Sequence, residues 1–276
     1  MKVFKFICAI LFSLGLFLSC AQAKKEKQQL VPKDVSIKKV LNTKELLFDN
    51  GTWTSLFNGE NLNGWEVMSI KEDKKYNFWT VKNGAIEVNS MGTPDHDYMW
   101  LQTNKEYADF VLKLKFQSHR ESPGNSGVQI RSRYDMQTVE KSGKGKGWLD
   151  GPQVDIHPSG SWRTGLIYDE TRGHQRWIYP SLPNWEIKKE TYAKKLVPHY
   201  FADEAPYWND LVIICKGNRI KTIVNNIVVS NYDGTGILDD VWHKKYKIDK
   251  KGHIAFQLHR NNQLKIAFKD IVIKEL

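Results

Sequence analysis

The sequence predicts an all-β protein built as one antiparallel β-sandwich, and three observations carry that prediction. Apolar and polar residues alternate over many short runs, the period of a strand with one buried face. Tight-turn dipeptides punctuate those runs, among them Asn58-Gly59, Asn63-Gly64 and Asn83-Gly84. Beyond residue 50 there is no convincing amphipathic helix, no internal repeat and no composition shift that would mark a hinge.

Taken in order, residues 51–276 open with Trp53–Phe57 and two Asn-Gly turns. Phe78–Val81 and Ile86–Val88 flank Asn83-Gly84, where a type I′ hairpin turn needs left-handed residues. Met99–Gln102 is a further short strand. Ala108–His119 alternates most cleanly, with Phe110, Leu112, Leu114 and Phe116 on one face and Lys113, Lys115 and Gln117 on the other. In Ser126–Tyr134, Val128 and Ile130 oppose Gln129, Arg131 and Arg133. A Gly/Lys-rich loop is expected between Met136 and Trp148, and a long Pro-bearing insertion over 180–207. Leu211–Cys215, Ile220–Val224 and Ile227–Val229 follow, with tight turns at Lys216–Asn218 and Asn225-Asn226. His253–His259 and Lys265–Leu276 close the chain.

The chain of 276 residues is long enough for a sizeable core. Its formal charge of +10 raises nucleic-acid binding, and the distribution argues against it. Lys2 and Lys5 sit at the start, and residues 21–50 carry seven Lys against four acids. Half of the excess therefore precedes residue 51, and the rest is scattered, with no clustered basic stripe. Residues 1–20 predict an export signal: a basic start, an apolar run from Phe6 to Leu18, and Cys20 placed for lipidation after Phe17-Leu18-Ser19. Ala21-Gln22-Ala23 offers ordinary cleavage after residue 23 as the alternative. Residues 21–50 then form a tether, with one short helix near Asn42–Phe48, and the expected location is periplasmic or on the outer membrane. Past the leader only Cys215 remains, so no internal disulfide forms and stability rests on the core.

The stretch 151–185 stands out chemically. Along Gln153–His157, Val154 and Ile156 face one way, while Gln153, Asp155 and His157 face the other. Solvent-facing strands favour Lys, Thr and Glu, so an amide, a carboxylate and an imidazole in register point to a site. Glu170 and Arg172 follow in a Trp-flanked segment. Gln129, Arg131, Gln257 and His259 lie on comparable polar faces, and these residues are expected to share one groove with Asn125 and Ser126 at its rim. Trp148, Trp162, Trp177, Trp185 and Trp208, half of the ten tryptophans, lie in or beside loops where a ring can stack on a sugar.

Several segments together resemble one family. Ser55-Leu-Phe-Asn-Gly-Glu-Asn-Leu-Asn-Gly-Trp65 looks like the opening signature of the 3-keto-disaccharide hydrolases. Tyr107–Phe110, Asn125–Arg131, Trp208-Asn209 and Phe268–Ile273 match in the expected order across about Trp53 to Leu276. The resemblance implies a concanavalin-like jelly roll and an exported carbohydrate-active enzyme acting on 3-keto-glycosides. A carbonyl at C3 acidifies the C2 proton, so such an enzyme needs a base, a stabiliser for the enolate oxygen and an acid for the leaving oxygen. Asp155, Glu170 and His259 are the expected proton-transfer groups, with Arg131 or a divalent metal beside the enolate. Asp155, His157, Glu170 and His259 are the metal-ligand candidates. Asn125, Gln129, Gln153, Arg172, Trp177, Trp208 and Gln257 are the expected sugar contacts. Two alternatives remain open: a conventional glycosidase using Asp155 and Glu170, and a non-catalytic lectin-like module using the same groove.

Overall fold

A computed structural model describes residues 51–122, 124–139, 146–179, 187 and 199–276. The leader with Cys20, the tether, Trp185 and most of the 180–207 insertion lie outside the described residues. The described chain folds into two antiparallel sheets. The first contains β1 (Thr54–Ser55), β3 (Trp79–Lys82), β4 (Ala85–Asn89), β6 (Phe110–Ser118), β12 (Asn209–Lys216), β13 (Arg219–Val224), β14 (Ile227–Asp233) and β16 (Lys265–Glu275). Its order is β14-β13-β12-β6-β16-β4-β3, with β1 also on β16. The second contains β2 (Trp65–Ser69), β5 (Met99–Thr103), β7 (Ser126–Val139), β8 (Lys146–Asp150), β9 (Pro152–Ile156), β10 (Ile167–Asp169), β11 (Arg176–Tyr179) and β15 (His253–Leu258). Its order is β11-β10-β9-β7-β15-β5-β2, with β8 pairing β7.

The alternation places the core between the sheets. Phe110, Leu112, Leu114 and Phe116 of β6 pack in one cluster with Val128, Ile130, Val154, Ile156 and the β15 residues Ile254, Phe256 and Leu258. Phe256 stacks on Phe268 of β16 at 4.1 Å between centroids. Burying each such side chain contributes about 1.5–3 kcal/mol, which lets a fold without disulfides hold. Asn83 and Asn225-Asn226 have positive φ, as their hairpin turns require. Cys215 is buried in this core, and burial pushes its thiol up to about 11, so it is packing and not a nucleophile.

One local expectation is corrected. The region between Met136 and Trp148 is not all loop: β7 runs on to Val139 and pairs with β8 through Arg133↔Asp150, Tyr134↔Leu149 and Asp135↔Trp148. This pairing is favoured because it buries Trp148 and Leu149 in a second, smaller cluster with Trp100 and Ala255. Glu170 directly follows β10, in the connection that joins it to β11. A five-residue helix, α1 (Val241–Lys245), is present, capped by the Asp240 side chain on the Trp242 and His243 amides.

Candidate functional site

An open cleft of about 310 Å³ lies on the second sheet, lined from its floor by Gln153 and Asp155 of β9. Asn125, just before β7, and His259 and Arg260, just after β15, close one end. Tyr98 and Trp148 meet edge to face at 5.1 Å. Tyr168 of β10 and Trp177 of β11 do the same at 5.1 Å. In strand order Tyr168 and Trp177 stand on one side of the β9–β7–β15 floor and Tyr98, next to β5, on the other, with Trp148 reaching in from β8. Arg163, from the 3-10 segment Pro158–Arg163, and Glu170 complete the lining with Gln175.

The floor is buried and incompletely satisfied. Asp155 is 2 % exposed and Gln153 1 % exposed. Burial pushes the Asp155 carboxyl up to about 7, against the opposing pull of Arg163 and of the Gln153 amide. Arg163 Nε stands 3.4 Å from Asp155 Oδ2 without forming a hydrogen bond. Gln153 Nε2 donates weakly to Asp155 Oδ1 at 3.5 Å. Asp155 Oδ2, Gln153 Oε1 and Asn125 Oδ1 are buried acceptors with no hydrogen-bond partner. Leaving such atoms unmet costs stability, so their convergence in a cleft suits a ligand rich in hydroxyl donors.

Glu170 is fixed from three sides. Its amide donates to Gly151 O at 3.1 Å, its carbonyl accepts from Trp148 Nε1 at 2.9 Å, and Oε1 accepts from Gln257 Nε2 at 3.3 Å. His259 Nδ1 faces the Arg260 carbonyl at 3.0 Å, and a carbonyl can only accept. That ring nitrogen therefore carries the proton, and Nε2 accepts the Tyr98 hydroxyl at 2.9 Å.

The cleft brings together Asn125, Gln153, Asp155, Glu170, Trp177 and His259 from the sequence-derived set. Gln257 and Gln129 are fully buried and support it: Gln257 holds Glu170, and Gln129 Nε2 donates to Leu149 O at 3.0 Å. Four residues lie elsewhere. Arg131 sits at a β-bulge with φ 51°, which turns its side chain out of the alternation. Its guanidinium donates to Ala108 O, Gly217 O, Asp249 O and Asp109 Oδ1 instead. Arg172 pairs with Asp150 and Asp135 and lies over the Tyr246 ring at 4.1 Å. His157 turns to Ser159 Oγ, 3.2 Å from its Nδ1. Trp208 lines a separate pocket on the first sheet, under Lys269 Nζ at 4.2 Å. Of the metal-ligand candidates, Asp155, Glu170 and His259 line the one cleft, while His157 is turned to Ser159. Among the described residues, the group whose ligand atoms gather within 4.8 Å is His174, Asp240 and His243. Tyr98, Arg163, Tyr168 and Arg260 were not anticipated.

Two antiparallel sheets packed face to face, with a polar, aromatic-walled cleft on one of them, define a concanavalin A-like β-sandwich. The chain belongs to the 3-keto-alpha-glucoside-1,2-lyase-like domain family, whose profile matches residues 52–274. It is accordingly a carbohydrate-active, glycosyl hydrolase-like protein. No curated protein sequence matches it. Among solved structures it is similar to the carbohydrate recognition domain of Emp46p in its potassium-bound form, at 12 % identity and TM-score 0.50, covering 81 % of this chain and 99 % of that one. It is also similar to a protein of Parabacteroides distasonis provisionally described as a glycosyl hydrolase, at 19 % identity and TM-score 0.47, covering 81 % and 94 %. A carbohydrate-binding module, CBM66 of Bacillus subtilis, follows at 12 % identity and TM-score 0.47, covering 77 % and 96 %.

Proposed function

We propose that the protein is an exported enzyme that cleaves 3-keto-glycosides in the cleft of the second sheet, anchored to the cell envelope through Cys20. The observation that carries this reading is Asp155, a buried carboxyl raised to about 7 on the cleft floor beside an unbonded guanidinium nitrogen. A base that titrates near neutral pH suits removal of a proton acidified by a neighbouring carbonyl.

In this mechanism Asp155 takes the C2 proton, and the C2–H electron pair becomes the C2=C3 bond with negative charge on the C3 oxygen. Arg163 stands where it can stabilise that oxygen, the part first given to Arg131. Collapse of the enolate re-forms C3=O, makes C1=C2 and breaks the C1–O bond to the aglycone. Glu170 supplies the proton to the leaving oxygen. Water then adds its oxygen to C1 and a proton to C2, positioned by the Tyr98–His259 pair. Trp177 and Trp148 offer faces and edges to the ring C–H groups.

The test offers the purified full chain a 3-keto glucoside and its unoxidised counterpart, each with and without a chelator. Cleavage of the keto sugar alone supports the reading. Comparable cleavage of both sugars replaces it with a conventional glycosidase using Asp155 and Glu170. Binding without turnover of either leaves a lectin-like module. Turnover that a chelator abolishes returns a metal to the site.

A further inference from the structure

Behind the β10–β11 hairpin lies a second cluster of chemistry-bearing side chains that the cleft does not use. Asp240 caps α1, and His243 follows three residues later, so one helical turn presents both to the same side. His174 arrives from the hairpin turn. Its Nε2 lies 2.6 Å from Asp240 Oδ2, while His243 Nδ1 lies 2.8 Å from Asp240 Oδ1. The two imidazoles stack at 5.6 Å with 20° between planes. The remaining nitrogen, His243 Nε2, points at Asp169 Oδ2 from 3.3 Å.

This geometry poses a charge problem. A neutral imidazole has one N–H and one lone pair, yet both nitrogens of His243 face carboxylate oxygens. His243 and Asp169 are both fully buried, and neither His243 Nε2 nor Asp169 Oδ2 makes a hydrogen bond. His174 delivers a second imidazole to the same carboxylate and completes a ligand set of two nitrogens and one carboxylate. Two imidazoles with one carboxylate suit zinc, cobalt or nickel and disfavour calcium or magnesium.

We propose that His174 Nε2, His243 Nδ1 and Asp240 bind a divalent transition ion of the zinc type, with Asp169 holding His243 through its other nitrogen. Ligands of a tetrahedral ion bonded at about 2.0–2.1 Å lie roughly 3.3 Å apart, so each imidazole opens from the carboxylate by about half an ångström, within a group whose three ligand atoms already lie within 4.8 Å of one another. A carboxylate behind a ligating imidazole is the arrangement that fixes its tautomer and raises its basicity. The ion would tie α1 to the turn that carries Glu170, Gln175 and Trp177 into the cleft. It lies outside the proposed reaction and does not depend on that reading.

The experiment uses the full chain, stripped with a chelator, equilibrated with zinc sulfate, dialysed, and assayed for bound zinc by mass spectrometry. A parallel sample with cobalt is followed by its visible absorption. The wild type should retain about one ion per chain, and His174→Ala should bind at least about tenfold more weakly with unchanged far-UV circular dichroism. Should His174→Ala fail to fold, His174→Gln gives the same comparison. A wild type that retains less than about a tenth of an ion overturns the proposal in favour of a protonated His243 held between two carboxylates. Equal retention by the wild type and the variant overturns it as well.

Discussion

Asp155 has Gly127 opposite it on β7, which presents no side chain, and Arg163 at the edge of ion-pair distance. Its folded carboxyl titrates near 7 against an ordinary value of 3.8, so between those values the native state binds more protons than the unfolded chain. Stability contributed by the protonated form is therefore present at low pH, declines as pH rises from about 4 to about 7, and is gone above that. Asp155→Asn should leave stability unchanged near pH 3 and raise it by on the order of 3 kcal/mol at pH 8, measured by urea unfolding. The same variant should lose at least about 100-fold in kcat/KM. The wild-type profile should climb with pH and level off just above neutrality. A profile flat from pH 6 to 8 removes Asp155 as the base. The types and alternation of Gln153, Asp155, Glu170 and His259 made them visible in the chain. Tyr98 and Arg163 were hidden because one stands just before a strand and the other in a 3-10 segment, where no period assigns a face.

At the scale of elements, one bulge decides which arginine faces the cleft. Counting by twos from Gln129 puts Arg131 in the groove, but the pairing of β7 with β15 slips between Ser132↔His253 and Gln129↔Ala255. The extra residue takes left-handed φ, and Gly252 packs against its carbonyl so closely that a Cβ there would lie 2.5 Å from Arg131 O. Arg131 is thereby free to bind three carbonyls and Asp109 at the sheet's end. A second close approach occurs at Gly127, where a Cβ would lie 2.4 Å from Gln153 Cδ and 2.5 Å from Cγ. Gly127→Ala should displace Gln153, cost about 1–3 kcal/mol of stability and raise KM while the fold persists. An unchanged KM would show that Gln153 does not contact the sugar.

At the scale of the molecule, each sheet carries a pocket among the described residues, and of these two the one on the second sheet combines a raised carboxyl with orphaned acceptors. Trp177→Ala should raise KM roughly tenfold, about 1.4 kcal/mol, whereas Trp208→Ala should leave kcat/KM within about twofold. The reverse ranking would move the site to the first sheet. The sequence alone determined the sandwich, its turns, its inward faces and the β9 stripe, because strand alternation and turn chemistry are local properties written in neighbouring residues. Only the tertiary structure decided which polar residues meet. Arg131 and Arg163 carry the same charge and differ in where a bulge and a 3-10 segment aim them. The raised Asp155 carboxyl arises from burial, and the His174–Asp240–His243 cluster from a turn and a helix distant in sequence, which no local pattern encodes.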